Sequence, residues 1–156
     1  MVLHVGDEAP DFTAISTDGS YFNLYKELEE GPILINFYIG DFGINCTNYM
    51  KKFIESYSKI LDLGVKLVAI NNDSLDSHIV FKNRLNAPFE YLHDEDKKIA
   101  MRYGAIVGPG YMTTGFTNRE FYLVVKDRKI RFIWKSTTPK TLPNLDEIVE
   151  GIKKSL

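Results

Sequence analysis

Cys46 is the only cysteine of the chain, and its neighbours place it where a nucleophile belongs. It follows an apolar run, Pro32-Ile33-Leu34-Ile35-Asn36-Phe37-Tyr38, and a short loop over residues 39–45. It opens the stretch Thr47-Asn48-Tyr49-Met50-Lys51-Lys52-Phe53-Ile54, whose apolar positions recur at helical spacing. A thiol in the first turn of a helix feels the positive end of the helix dipole and unpaired backbone N–H groups. Both favour the thiolate, the form that attacks electrophiles. A lone cysteine is more often a small buried apolar residue. The position at a helix start, after a candidate central strand, is what favours reactivity here.

Other chemistry is thinly represented. The three histidines, His4, His78 and His93, lie in unrelated segments without metal-ligand spacing. A zinc site on Cys46 would need three further ligands that the sequence does not offer, so neither a metal nor a cofactor is expected. Asp94-Glu95-Asp96 reads as a solvated turn, His78 as a helix-surface or capping residue, and Met50 with Phe53 as core. A thioredoxin-type dithiol needs C-x-x-C, and the position three before Cys46 is Gly43.

The elements that must hold Cys46 follow from patterning. Residues 11–24 read as two short strands about Thr17-Asp18-Gly19-Ser20, whose Asp-Gly pair marks a hairpin. Residues 25–30 form a polar connection of about one helical turn. Residues 33–38 read as a buried strand, then a helix carries Met50, Phe53, Ile54, Tyr57, Ile60 and Leu61 and stops at Gly64. A strand over 65–71 leads to a helix capped by Asp73 or Ser74 and ending near Leu85, with Ile79, Val80 and Leu85 inward. A short strand over 89–92 and a short helix ending at Gly104 precede a Gly- and Thr-rich loop over 107–118. Strands over 121–125 and 130–134 flank a turn, and a final helix begins at Pro143. Strand–helix–strand alternation implies parallel pairing in the middle, and the closing hairpin implies an antiparallel edge. The expected architecture is α/β, a central mixed sheet flanked by helices with an N-terminal β-hairpin. Sites in such sheets gather at the carboxyl ends of central strands, where Cys46 lies.

Composition narrows the setting. At 156 residues the chain reads as one domain, residues 1–156. A net charge of −2 offers no basic footprint for nucleic acid or acidic membranes. No apolar run approaches a membrane span, and the first residues show no basic segment followed by an apolar core, so no secretion signal is expected. One cysteine permits no internal disulfide, which makes the cytoplasm the expected compartment.

Several segments together resemble the peroxiredoxins (alkyl hydroperoxide reductase and thiol-specific antioxidant proteins), in particular the bacterioferritin-comigratory-protein-like ones. Val5-Gly6-Asp7-Glu8-Ala9-Pro10-Asp11-Phe12 is similar to their V-G-D-x-A-P-D-F start. The stretch Phe37-Tyr38-Ile39-Gly40-Asp41-Phe42-Gly43-Ile44-Asn45-Cys46-Thr47 resembles F-Y-P-x-D-F-T-x-x-C-T. Asp73-Ser74-Leu75-Asp76-Ser77-His78-Ile79-Val80-Phe81 is similar to D-S-x-x-S-H-x-x-F, and Asp94-Glu95-Asp96 through Tyr103-Gly104 to D-x-D…A-x-x-Y-G. The run from Arg119 to Ile130 resembles R-x-x-F-x-I-D-x-x-G-K-I. The matches are collinear over about residues 5–135. The family's proline falls at Ile39, its threonine at Gly43, and a glutamate common three residues after the cysteine at Tyr49.

The resemblance implies a thioredoxin-like fold and a thiol-dependent peroxidase. Cys46 is the implied nucleophile and Arg119 the implied cation that stabilises charge in the transition state. Gly43 occupies the family's peroxide-holding position, and Thr47 or Tyr38 stands in for the missing hydroxyl. With no second cysteine, the implied type is 1-Cys, reduced by an external thiol: a thioredoxin-like protein, a low-molecular-weight thiol, or Cys46 of another subunit. Homo-oligomers are expected by the same resemblance. The alternative is a catalytically weakened relative that keeps the scaffold as a redox sensor or binding module, with residues 106–118 as its contact loop.

Overall fold

The computed structural model describes residues 2–156. Its five-stranded sheet has the order β5-β4-β3-β6-β7: β3 (Ile33–Phe37), β4 (Lys66–Asn71), β5 (Glu90–His93), β6 (Glu120–Val124) and β7 (Ile130–Lys135). β3 is central, parallel to β4 and antiparallel to β6; β4 and β5 are parallel, and β6 and β7 are antiparallel. A separate hairpin, β1 (Thr13–Ile15) with β2 (Tyr21–Asn23), precedes α1 (Leu24–Glu27). The mixed sheet and the N-terminal hairpin agree with the patterning of the sequence.

All five residues of β3 are buried, as a strand covered on both faces requires. Alternation sends Ile33, Ile35 and Phe37 to one face, where they pack with Val68, Ile70 and Tyr122 against the hairpin and α5 (Lys98–Tyr103). Leu34 and Tyr38 point to the other face, into a second core with Phe121, Leu123, α2 (Ile44–Glu55), α3 (Tyr57–Leu61), α4 (Leu75–Leu85) and α6 (Leu145–Ser155). Asn36 shares their parity, so an amide sits in the middle of this apolar face.

The structure departs from the sequence reading at four points. The helix after Cys46 is broken at Ser56 (φ −115°, ψ 16°) into α2 and α3. The break turns Tyr57 inward, where its hydroxyl accepts a hydrogen bond from the Leu67 N–H at 3.1 Å. His78 is fully buried rather than at the surface, while Val80 is exposed. The inner face of α4 is therefore His78 and Phe81. Asp94 is fully buried too: its carboxylate accepts from the N–H groups of Ile99 at 2.8 Å and Ala100 at 3.0 Å, capping α5. Polar residues can be buried at these places because each has partners.

Candidate active site

β3 delivers the chain to the site at its carboxyl end. α2 begins at Ile44, so Cys46 is its third residue rather than its opening one. Thr47 is the first to donate into the helix, its N–H reaching the Gly43 carbonyl at 2.8 Å. The N–H groups of Ile44, Asn45 and Cys46 precede the helical ladder and have no partner within it. Gly43 is the N-cap, with extended backbone and no side-chain cap to compete for those donors. Cys46, Tyr49, Met50 and Phe53 recur at three- and four-residue steps and form the buried face of α2. Cys46 is only 2 % exposed.

The loop that fixes the start of α2 is tied down by Asp41. Its N–H donates to Asp73 Oδ2 at 2.7 Å, and its carboxylate accepts from the Ser77 hydroxyl at 2.7 Å and from the Tyr38 hydroxyl. His78 Nδ1 lies 2.7 Å from Asp41 Oδ2, with both side chains out of solvent. Tyr38 is thus placed under the loop, but its hydroxyl is engaged with Asp41, and burial together with that carboxylate pushes the phenol well above its ordinary value. Phe42 takes a left-handed backbone (φ 62°), which a bulky residue adopts at a cost of about 1–2 kcal/mol. Its ring is held edge-on to Phe81 at 5.1 Å, under the Arg84 guanidinium at 5.2 Å. Thr47 is half-buried in the first turns of α2.

Arg119 enters from the neighbouring strand. Phe37 pairs with Glu120, so the next position along sets Tyr38 beside Arg119. Arg119 shares the parity of Phe121 and Leu123 and therefore faces the α2 side of the sheet. It is 4 % exposed, and one of its Nη groups donates to the Pro139 carbonyl. With Ile39, Asn45, Tyr111, Met112 and Pro139 it lines an open cleft of about 710 Å³. No three potential metal ligands of the His, Cys, Asp or Glu type cluster among the described residues.

Between helix and sheet lies a polar group that the sequence reading treated as apolar surroundings. The Asn36 side chain, the Tyr49 hydroxyl and Arg119 Nε are all buried, and none has a hydrogen-bond partner. An unpaired buried polar group costs about 1–3 kcal/mol. Burial pushes the Tyr49 phenol well above its ordinary value, and the nearby Cys46 sulfur adds to the rise. The signal for Asn36 was present: it is the sole polar side chain between Ile33 and Tyr38. Asp41 and His78 carried less signal, because only the folded loop brings them together.

The pattern of the AhpC/TSA family matches residues 5–133. The chain belongs to the AhpC/TSA family, the peroxiredoxins. Among its relatives is a putative peroxiredoxin bcp of Coxiella burnetii, 28% identical over 136 residues, which span 86% of this chain and 89% of that one. Peroxiredoxin Bcp of Bacillus subtilis is 24% identical over 158 residues, covering 98% and 95%. These relatives make it a Bcp-like peroxiredoxin. A mutant of PrxQ from Xylella fastidiosa superposes with a TM-score of 0.86 over 99% of this chain and 98% of its own, at 14% identity. Peroxidoxin BcpB from Mycobacterium tuberculosis gives 0.82 over 96% of each, at 20% identity. The peroxiredoxin fold, thioredoxin-like, is thereby shared.

Proposed function

We propose that this peroxiredoxin is a thiol peroxidase of the 1-Cys type that reduces hydrogen peroxide or alkyl hydroperoxides. The observation that carries the reading is the placement of Cys46 in the first turn of α2, past the end of β3, with Arg119 on the same face of the neighbouring strand. The Cys46 thiolate attacks the terminal peroxide oxygen, and the O–O bond breaks as the S–O bond forms. Sulfur is oxidised to the sulfenic acid, and the leaving alkoxide or hydroxide takes a proton to become alcohol or water. Negative charge spreads over sulfur and both oxygens, and the Arg119 guanidinium with the free N–H groups of α2 stabilises it. Thr47 and the backbone at Gly43 border the peroxide position, and Tyr38 supports the loop above it.

An external thiol then attacks the sulfenic sulfur and releases water, and a second thiol frees Cys46 from the mixed disulfide. Two cysteines within the chain would be needed to do this internally, and there is one. Self-association and a cytoplasmic setting belong to the same reading. No described helix is long and apolar enough to cross a membrane.

The test is the second-order rate at which peroxide oxidises Cys46 in reduced protein, followed by intact mass. The expected rate exceeds that of a free thiol by orders of magnitude, and Cys46→Ser abolishes turnover with the unfolding midpoint preserved. The burial of Cys46 favours a second reading, a redox sensor or binding module on the same scaffold. A rate equal to that of a free thiol would select it.

A further inference from the structure

The face of β3 that looks at α2 holds a cluster of buried polar groups without hydrogen-bond partners. Asn36 is fully buried and pairs through its backbone with Ala69 and Phe121, so its side chain is fixed at the centre of the sheet. Tyr49 is 3 % exposed and stands one helical turn after Cys46, on the same face of α2. Its ring packs edge-on against Phe53 at 6.0 Å, which fixes where the hydroxyl lies. Asn36 Nδ2 and Oδ1, the Tyr49 hydroxyl and Arg119 Nε have no partner within hydrogen-bond geometry, although most buried polar groups in native proteins do. Asn36 lies close enough to Tyr49 to draw its phenol back down against the effect of burial. Tyr49 stays a donor throughout the neutral range, because burial beside Cys46 disfavours its ionised form. The Asn36 amide N–H and the Tyr49 hydroxyl are therefore free to donate to an oxygen added between helix and sheet.

Peroxide chemistry places one there. Building on the thiol-peroxidase reading, we propose that Asn36 and Tyr49 form a buried donor pair that binds the oxygen left on Cys46, holding it as the sulfenate anion. The step that makes this oxygen transfers it from the peroxide to sulfur. Sulfur loses two electrons, the O–O bond breaks, and the leaving oxygen departs as water or alcohol. The sulfenic proton then leaves to solvent, and the amide and phenol donate to the anion. Both residues are positioning residues for the oxidised intermediate. An ionised, hydrogen-bonded oxygen makes the sulfur a poor electrophile, which slows its condensation with a backbone nitrogen or with a second Cys46. A 1-Cys enzyme that must wait for an external thiol gains time from that protection.

Two single variants test the pair. Tyr49→Phe removes only the hydroxyl and keeps the ring on Phe53, and Asn36→Leu replaces the amide by an apolar group of similar size. Reduced proteins receive one equivalent of hydrogen peroxide, and the sulfenic form is followed by intact mass without added thiol. The expected result is a lifetime shortened about tenfold in each variant. The pH dependence of dimedone capture is read alongside. Capture fails where the sulfenic acid ionises, and that point moves up by about one pH unit when a donor is lost. A merely loosened fold would not move it. An unchanged lifetime and an unchanged capture profile in either folded variant overturn the proposal. Should wild-type Cys46 react with peroxide no faster than a free thiol, the peroxidase reading falls. Sulfenic acid made with excess peroxide then still tests the donor pair by the same two measurements.

Discussion

Glu120, next to Arg119, is one of two buried carboxyl groups whose ionisation works against the fold. Burial pushes Glu120 above the ordinary 4.5, although the Tyr122 hydroxyl at 2.6 Å and the Asn118 amide at 2.9 Å partly offset this. Asp94 is raised above 3.8 by burial, against the pull of its two backbone donors. A carboxyl with a raised folded value binds its proton more tightly folded than unfolded. Its contribution is complete below the unfolded value and is lost as pH rises through the folded one. Asp18 acts in the opposite sense, with its value lowered first by the Ser20 hydroxyl, but only below 3.8. Urea midpoints are therefore expected to fall between about pH 4.5 and the folded value of Glu120, and Glu120→Gln is expected to flatten that fall. A variant as pH-dependent as the parent would remove Glu120 from this account. At this scale Cys46 was marked by its type and its place at a helix start, whereas Arg119 alone reads as a surface charge and was marked only by its match to the family pattern. The burial of Glu120, Asp94 and His78 was not marked, because a charged or polar residue in a sequence of ordinary composition is read as solvated until its partners are known.

The loop between β3 and α2 is held by side chains rather than by backbone ladders. Asp41 gathers Tyr38, Ser77 and His78 from β3's end and α4, and its own N–H is bound by Asp73. Replacing Asp41 by Ala leaves the buried His78 and Tyr38 without their acceptor and is expected to cost about 3 kcal/mol. Hydrogen exchange over residues 39–46 is expected to accelerate more than exchange in β3 and β4. Uniform acceleration across the chain would show that Asp41 supports the whole fold rather than the loop. Elements were legible in the sequence wherever periodicity was clean, as in β3, β4 and α6. The helix after Cys46 read as one because its apolar spacing runs on through Tyr57, Ile60 and Leu61. The break at Ser56 arises from Tyr57 reaching the backbone of β4, a tertiary bond that periodicity does not encode.

Across the whole molecule the sheet divides two cores, and the cysteine belongs to the one covered by four helices. α6 closes that side by lying against β7, and the contact is so close that a Cβ at Gly151 would run into the Phe132 ring. Gly151→Val is expected to destabilise the protein by about 1–3 kcal/mol, read as a lower unfolding midpoint. An unchanged midpoint would mean that the ring swings aside. The order of strands and helices was legible from alternation and turn residues, down to the parallel middle and antiparallel edge. The burial of Cys46 was not, since the wall around it comes from Tyr38, Tyr49 and Met50, brought together by packing. That wall also sorts visitors by size. A reducing sulfur must come within about 2 Å of the cysteine sulfur to exchange with it. A slender thiol can thread such a gap, whereas the active site of a folded reductase is carried on a body that cannot follow. For the larger partner, the packing over Cys46 has to open beforehand, so the rate of that opening becomes the toll gate through which any protein reductant has to pass.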